Sequence, residues 1–217
     1  MQAPTLGSRV AAVLQEDGGV LLSFVGADPA SVPAYTVELR EAPHEVRVRL
    51  QEENGQQGFR AGAGRRRWAR AVLQAPLAGR ALVADDGSPM PVARAADLLV
   101  VGGPWVLVGY EHSSPGATAA AWRSSFSDSA RSLSLTQGGA DLLDVDWQRD
   151  SFRPVLLGEP LVGGRSGLLY TFSGEQGANH VVAWRTATGA VGLQLMGRAH
   201  PEDLVALARS VRSAAAC

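Results

Sequence analysis

A chain of 217 residues, 46% hydrophobic and 19% charged, is long enough for one large or two small folded domains and too apolar to be disordered. A formal net charge of −1 gives no overall field that draws nucleic acid or an anionic membrane, so no nucleic-acid partner is expected. All 20 basic residues are Arg, which excludes Schiff-base lysines, the phosphate-loop lysine and Ser-Lys nucleophile pairs.

The first hundred residues read as short strands between turn signals. Arg9–Leu14 and Val20–Val25 flank Glu16-Asp17-Gly18-Gly19, a strong hairpin signal. Tyr35–Arg40 alternates apolar and polar residues, Pro43 breaks it, and Val46–Leu50 alternates again. The Gly-rich stretch Asn54–Gly64 reads as a loop, Trp68–Leu73 as a strand, and Ala81–Ala84 as another before Asp85-Asp86-Gly87. Strands at this spacing, with no convincing helix, point to a small sandwich or an open antiparallel sheet. Gly102-Gly103-Pro104 is the expected seam, giving modules 1–101 and 104–217, although the apolar runs on both sides of it also fit one bent strand shared by the two.

Beyond the seam, Trp105–Tyr110 reads as a strand, and Ala117–Arg123 as a helical or irregular turn, its Ala-rich part having helical propensity. Ser132–Thr136, Val155–Leu157 and Leu168–Phe172 follow as strands, while Asp141–Trp147 fits strand or helical turn equally. His180–Trp184 and Val191–Leu195 form a hairpin that turns at Thr188-Gly189. The period then lengthens to that of a helix over Pro201–Val211. Pro201 suits the first helical position, Glu202 and Asp203 oppose the positive end of the helix dipole, and Arg209 and Arg212 the negative end. Leu204, Val205, Leu207, Ala208 and Val211 make one apolar stripe. If its four larger side chains are all buried they contribute roughly 6–12 kcal/mol before entropy, so deleting residues 201–217 is expected to unfold the second half. The fold class is therefore α+β: two β-rich modules, the second an antiparallel sheet covered by a C-terminal helix.

No constellation points firmly to a reaction. Ser166 in Gly163-Gly-Arg-Ser-Gly167 invites comparison with a nucleophile elbow, but Leu168 stands where the second Gly belongs and the pattern is strand–turn–strand. Asp141, Asp144, Asp146 and Asp150 cluster around Trp147 without the order of a calcium loop. His44, His112, His180 and His200 are widely separated and none has a ligand at metal spacing, so all four read as polar surface; neither metal nor cofactor is expected. His112 adjoins Glu111, yet neighbouring strand residues point to opposite faces, which prevents the carboxylate from orienting the imidazole. Arg65-Arg-Arg-Trp-Ala-Arg70 reads as a strand flanked by a solvated loop rather than a single-strand nucleic-acid site. Trp105, Tyr110, Trp122, Trp184 and Leu204 read first as core, and alternatively as the lining of an apolar groove between sheet and helix. Cys217 is the one cysteine, so no internal disulfide forms. No stretch reaches the ~18 apolar residues of a membrane span and no signal peptide opens the chain, so membrane attachment is expected only through an anchor outside it.

Three features of the second half, Val162-Gly-Gly-Arg-Ser-Gly-Leu-Leu-Tyr170, the Ala183-Trp184 strand end with Leu193-Gln-Leu-Met-Gly197, and the Pro201–Ser210 helix, resemble the C-terminal extracytoplasmic domain of bacterial anti-sigma factors and related membrane-anchored proteins or lipoproteins. The first half, through Tyr35–Glu38, Glu41–Val46 and Pro76–Asp85, is similar to a region of secreted or membrane-tethered proteins of high-GC Gram-positive bacteria. The resemblance implies a helix packed on an antiparallel sheet, no catalytic residues, and an extracytoplasmic location with membrane anchoring in the full-length protein. The leading expectation is a non-enzymatic interaction domain with an envelope protein as partner. A carrier or sensor of an apolar small molecule is the alternative, and a serine hydrolase built on Ser166 or around His112 comes third.

Overall fold

Residues alternating at a period of two, punctuated by Asp-Gly and Gly-Gly turns, make strand the dominant element among the described residues, which hold one α-helix, near the end of the chain. The computed structural model describes residues 10–26, 34–52, 65–113, 121–128, 131–139, 154–174, 177–196 and 200–213. The fold is α+β and dominated by sheet. The chain divides into two compact units, Met1–Asp97 and Leu98–Cys217.

The first unit contains β1 (Ala11–Leu14), β2 (Gly19–Gly26), β3 (Tyr35–Glu41), β4 (Glu45–Glu52), β5 (Arg65–Val72), β6 (Ala81–Ala84) and β7 (Val92–Arg94). The β1–β2 hairpin turns where Asp-Gly-Gly predicts, with Asp17 Oδ1 accepting the Gly19 N–H at 2.9 Å. Two sheets result, in the orders β5-β2-β1-β7 and β3-β4-β6. Val20, Leu22 and Phe24 of the first sheet share one core with Val46, Val48, Leu82 and Ala84 of the second, which makes a sandwich. The sheets are not antiparallel throughout, because β1–β7 and β4–β6 run parallel. The Arg run lies entirely inside β5, and the segment Asn54–Gly64 lies outside the described residues.

An ion pair organises the link from β5 to β6. Glu41, at the end of β3, takes the Gln74 N–H and pairs with Arg80 at 2.8 Å, both side chains being only 12% exposed. Arg80 also donates to the carbonyls of Ala75 (2.7 Å) and Pro76 (3.0 Å), so one guanidinium fixes the turn leading into β6. The Gln74 N–H and the Arg80 guanidinium hold the Glu41 carboxyl below its ordinary value.

The second unit contains β8 (Leu99–Val100), β9 (Val106–Ser113), β10 (Ala121–Ser127), β11 (Ser132–Gly138), β12 (Val155–Gly158), β13 (Leu161–Val162), β14 (Arg165–Gly174), β15 (Gly177–Arg185), β16 (Ala190–Met196), α1 (Pro201–Arg209) and β17 (Arg212–Ser213). Seven of these strands form an antiparallel sheet in the order β12-β14-β15-β16-β11-β10-β9, and β13 extends the β12 side by pairing with β14. Of Ala117–Arg123, expected to be helical or irregular, residues 117–120 lie outside the described residues, and Ala121–Arg123 belong to β10, where Ala121 is buried and Phe126 joins the core. Sheet pairing on both sides of β10 holds these three residues as strand. The Asp141–Trp147 segment lies outside the described residues.

Helix α1 lies against β15, β16 and β13. Leu204 (0% exposed) and Ala208 (2%) are buried, whereas Val205, Leu207 and Val211 are only partly covered, so the helix contributes less than a fully buried stripe would. The His200 N–H donates to Asp203 Oδ2 at 3.4 Å at the start of the helix. At its end Ser210 Oγ donates to the Leu207 carbonyl and accepts the Gly102 N–H. Directly afterwards β17 pairs with β8. These contacts, with buried Leu98 and Val101, place residues 98–101 in the second unit, ahead of Gly102-Gly103-Pro104.

Candidate functional site

The side chains expected to line an apolar groove do not form one set. Trp184 (6% exposed) and Leu204 are buried in the core between α1 and the sheet, with Leu133, Leu135, Val182, Leu193 and Leu195, and Trp105 packs against that cluster from its margin. Gly167 stands opposite Trp184 in the β14–β15 ladder; a Cβ there would come within 3.1 Å of the Ala183 carbonyl, so this register suits glycine. Trp105 carries the Arg131 guanidinium 5.1 Å above its ring centre, and Asp128 holds that guanidinium at 2.6 and 2.9 Å.

Tyr110 and Trp122 lie outside that cluster. Tyr110 pairs with Ser124 and His112 with Trp122 across β9 and β10, so strand parity puts all four on one face. His112 and Trp122 meet edge to face with ring centres 5.2 Å apart. Burial pushes the Tyr110 phenol up and the His112 imidazole down. Glu111 faces Arg123 at 3.9 Å on the other side of the sheet, so it does not orient His112, as parity required.

Ser166 is exposed on β14 opposite Leu161. Gly163 and Gly164, at φ +56° and +77°, close a two-residue hairpin between β13 and β14, a turn that needs positive φ at both positions. Strand–turn–strand is thus the arrangement around this serine, where an elbow would feed a helix. His180 corrects the reading of the histidines as surface: it is 7% exposed, on the same face of β15 as Val182 and Trp184, and its Nδ1 has no hydrogen-bond partner among the described residues. Its parity with those two apolar residues was the signal in the sequence. His44 and His200 are exposed.

The arginines of β5 have neighbours within the first unit. Arg70 pairs with Asp17, Arg67 lies 5.1 Å over the Tyr35 ring, and Arg66 reaches Ser23 Oγ at 3.5 Å. Asp141, Asp144, Asp146, Asp150 and Cys217 lie outside the described residues. Among the described residues no group of three or more His, Cys, Asp or Glu is placed to hold a metal ion, and no helix is long and apolar enough to cross a membrane.

What the second unit does present is apolar surface at the two margins of its larger sheet. Val106 (67% exposed) and Val108 stand on β9, and Val155, Leu156, Leu157 and Leu161 on β12 and β13. Sequence reasoning missed both margins, because a strand's place at the edge of a sheet is decided by long-range pairing and leaves no mark on its own residues. Comparisons with protein-family models, with curated proteins and with solved structures each found no match to this chain.

Proposed function

We propose that the chain is a non-enzymatic interaction domain, carried outside the cytoplasm by a membrane-anchored regulator or lipoprotein, which receives an envelope protein at the β9 margin of its larger sheet. One observation carries the reading: among the described residues, six of the seven large hydrophobic side chains that are exposed lie on the outermost strands of that sheet. Large apolar side chains on an outer strand favour contact with a partner, and strand addition at such a margin is a recurrent mode of recognition. The resemblance of the Val162–Tyr170 turn and strand, the Trp184 strand and the Pro201 helix to extracytoplasmic domains of anti-sigma factors and lipoproteins supports the location.

The test places a photo-crosslinking residue at Val106, in cells, with Val72 as an exposed control on the first unit. One defined envelope protein should be captured from Val106 and not from Val72, and Val106→Glu should abolish its binding to the purified chain without lowering the melting temperature. Equal capture from both positions would refute the surface. Activity of a phosphatase that works only outside the cytoplasm, fused to the full-length protein, checks the location. Stoichiometric labelling of Ser166 by a serine-directed phosphonate would refute the non-enzymatic reading.

A further inference from the structure

We infer that the edge formed by β12 and β13 is a membrane-contact surface, at which aliphatic side chains enter the interface of an anionic lipid bilayer while Arg165 and Arg209 bind its headgroups. Val155, Leu156, Leu157 and Leu161 are 57%, 50%, 46% and 62% exposed. They lie along one margin of the sheet, since Val155 and Leu156 stand opposite Thr171 and Tyr170 of β14, and Leu161 opposite Ser166 of the same strand. Two cations stand beside them. Arg209 Nε donates to the Leu161 carbonyl at 3.1 Å, and Arg165 pairs in the ladder with Val162, the residue after Leu161. Both arginines are exposed, and among the described residues they bond backbone carbonyls and no carboxylate. Glu159 is the one acidic residue from Val155 to Arg165, so the local balance of charge is positive.

An aliphatic edge beside cations that lack carboxylate partners matches the chemistry of an anionic lipid interface. Aliphatic groups settle at the boundary of headgroups and acyl chains, and guanidinium groups reach the phosphates. Two features of the edge favour lipid over a protein strand. Pro154 and Pro160 have no N–H, and the register slips between Leu156 and Gly158, so a backbone ladder added here is broken within a few residues. Strand parity also puts Leu156 and Leu161 on one side of the sheet and Val155 on the other. A folded partner needs these groups gathered on one face, whereas a fluid interface surrounds an edge from both sides. The net charge of −1 supplies no long-range attraction, so contact depends on this local grouping. This surface and the β9 surface occupy different margins, so either assignment can fail without the other.

Co-sedimentation of the purified full chain with phosphatidylcholine vesicles, with and without phosphatidylglycerol, tests the assignment with no protein partner present. Binding should require the anionic lipid and weaken as salt rises. Arg165→Gln and Arg209→Gln should each reduce affinity roughly 5-fold, the effect of one cation near the surface. Leu156→Glu with Leu161→Glu should reduce it at least ~10-fold, with unchanged circular dichroism. Should that variant not fold, an environment-sensitive fluorophore on Leu156→Cys in a Cys217→Ser background provides the second test. Its emission should shift to the blue with anionic vesicles, whereas the same label on Val106→Cys, at the opposite margin of the sheet, should not respond. Absence of binding to anionic vesicles, binding that survives both Glu substitutions, or equal shifts at positions 106 and 156 would overturn the assignment. A label at position 156 that is buried by another protein or a second copy without lipid would overturn it as well.

Discussion

Leu204→Ala is the sharpest test of how the second unit is held together. Leu204 is 0% exposed and is the one large side chain of α1 that is completely enclosed, packed in a cluster with Val182, Trp184, Leu193 and Leu195. Ala and Leu have similar helix propensities, so the substitution acts through lost burial and the cavity left behind. Truncating a buried Leu costs about 2–5 kcal/mol, depending on how far the surroundings collapse. Sheet side chains anchored on three neighbouring strands collapse little, which favours the middle of that range, about 3 kcal/mol. For a unit of this size the melting temperature should fall by roughly 10 °C. Calorimetry of the full chain gives the shift, and near-ultraviolet circular dichroism reports whether Trp184 loses its fixed surroundings first. Leu207→Ala, on the partly covered flank of the same helix, should cost about 1 kcal/mol or less. Equal costs for the two substitutions, or a Leu204→Ala protein within about 0.5 kcal/mol of wild type, would show that the helix is not docked through Leu204.

Two further substitutions test the turn and the ion pair. A Cβ at Gly189 would clash with the Gly138 carbonyl oxygen, so Gly189→Ala must displace the β15–β16 hairpin and should cost more than about 2 kcal/mol in urea unfolding; a neutral result would refute that close approach. Glu41 has its carboxyl held below the ordinary 4.5, so the stability it contributes is present above that value and is lost as pH falls through it towards the folded-state value. Glu41→Gln should therefore lower the urea midpoint of the first unit near neutrality and flatten its decline towards about pH 3; identical acid profiles for both proteins would refute the carboxylate's role.

Elements whose signal is local were legible in the sequence. The β1–β2 hairpin turns at Asp17-Gly18, the β15–β16 hairpin turns before Ala190, and α1 begins at Pro201, because turn chemistry and helix capping act over four or five residues. Elements created by long-range pairing were not. β17 is two residues long and exists only because β8 lies beside it, and that pairing moves residues 98–101 out of the first module. Ala121–Arg123 became strand for the same reason. The candidate site divides along this line as well. Parity on single strands correctly separated His112 from Glu111, while the grouping of Trp105 with Trp184 and Leu204, and the separation of Tyr110 and Trp122 from them, depended on strand order.

The residues that carry the sequence resemblance turn out to hold the fold in place. Glu41 and Arg80 belong to separate segments of the first-half pattern, yet they meet as an ion pair that fixes the approach to β6. In the second half, Gly163 and Gly164 close the β13–β14 turn, Trp184 fills the core opposite Gly167, and Leu204 is the enclosed side chain of α1. Each is demanded by backbone conformation, close approach or burial, so these residues serve the architecture whatever the chain binds. The surface proposed for a partner uses other residues, Val106 and Val108 on β9, whose exposure no core requires. Substitutions in the first group should lower stability and impair binding only through unfolding, whereas charged residues in the second should abolish association in a protein that melts as the wild type does. That outcome would support the proposed interaction role; in an enzyme, removal of a solvent-reaching polar group in the site would change the rate constant with little effect on either melting or association.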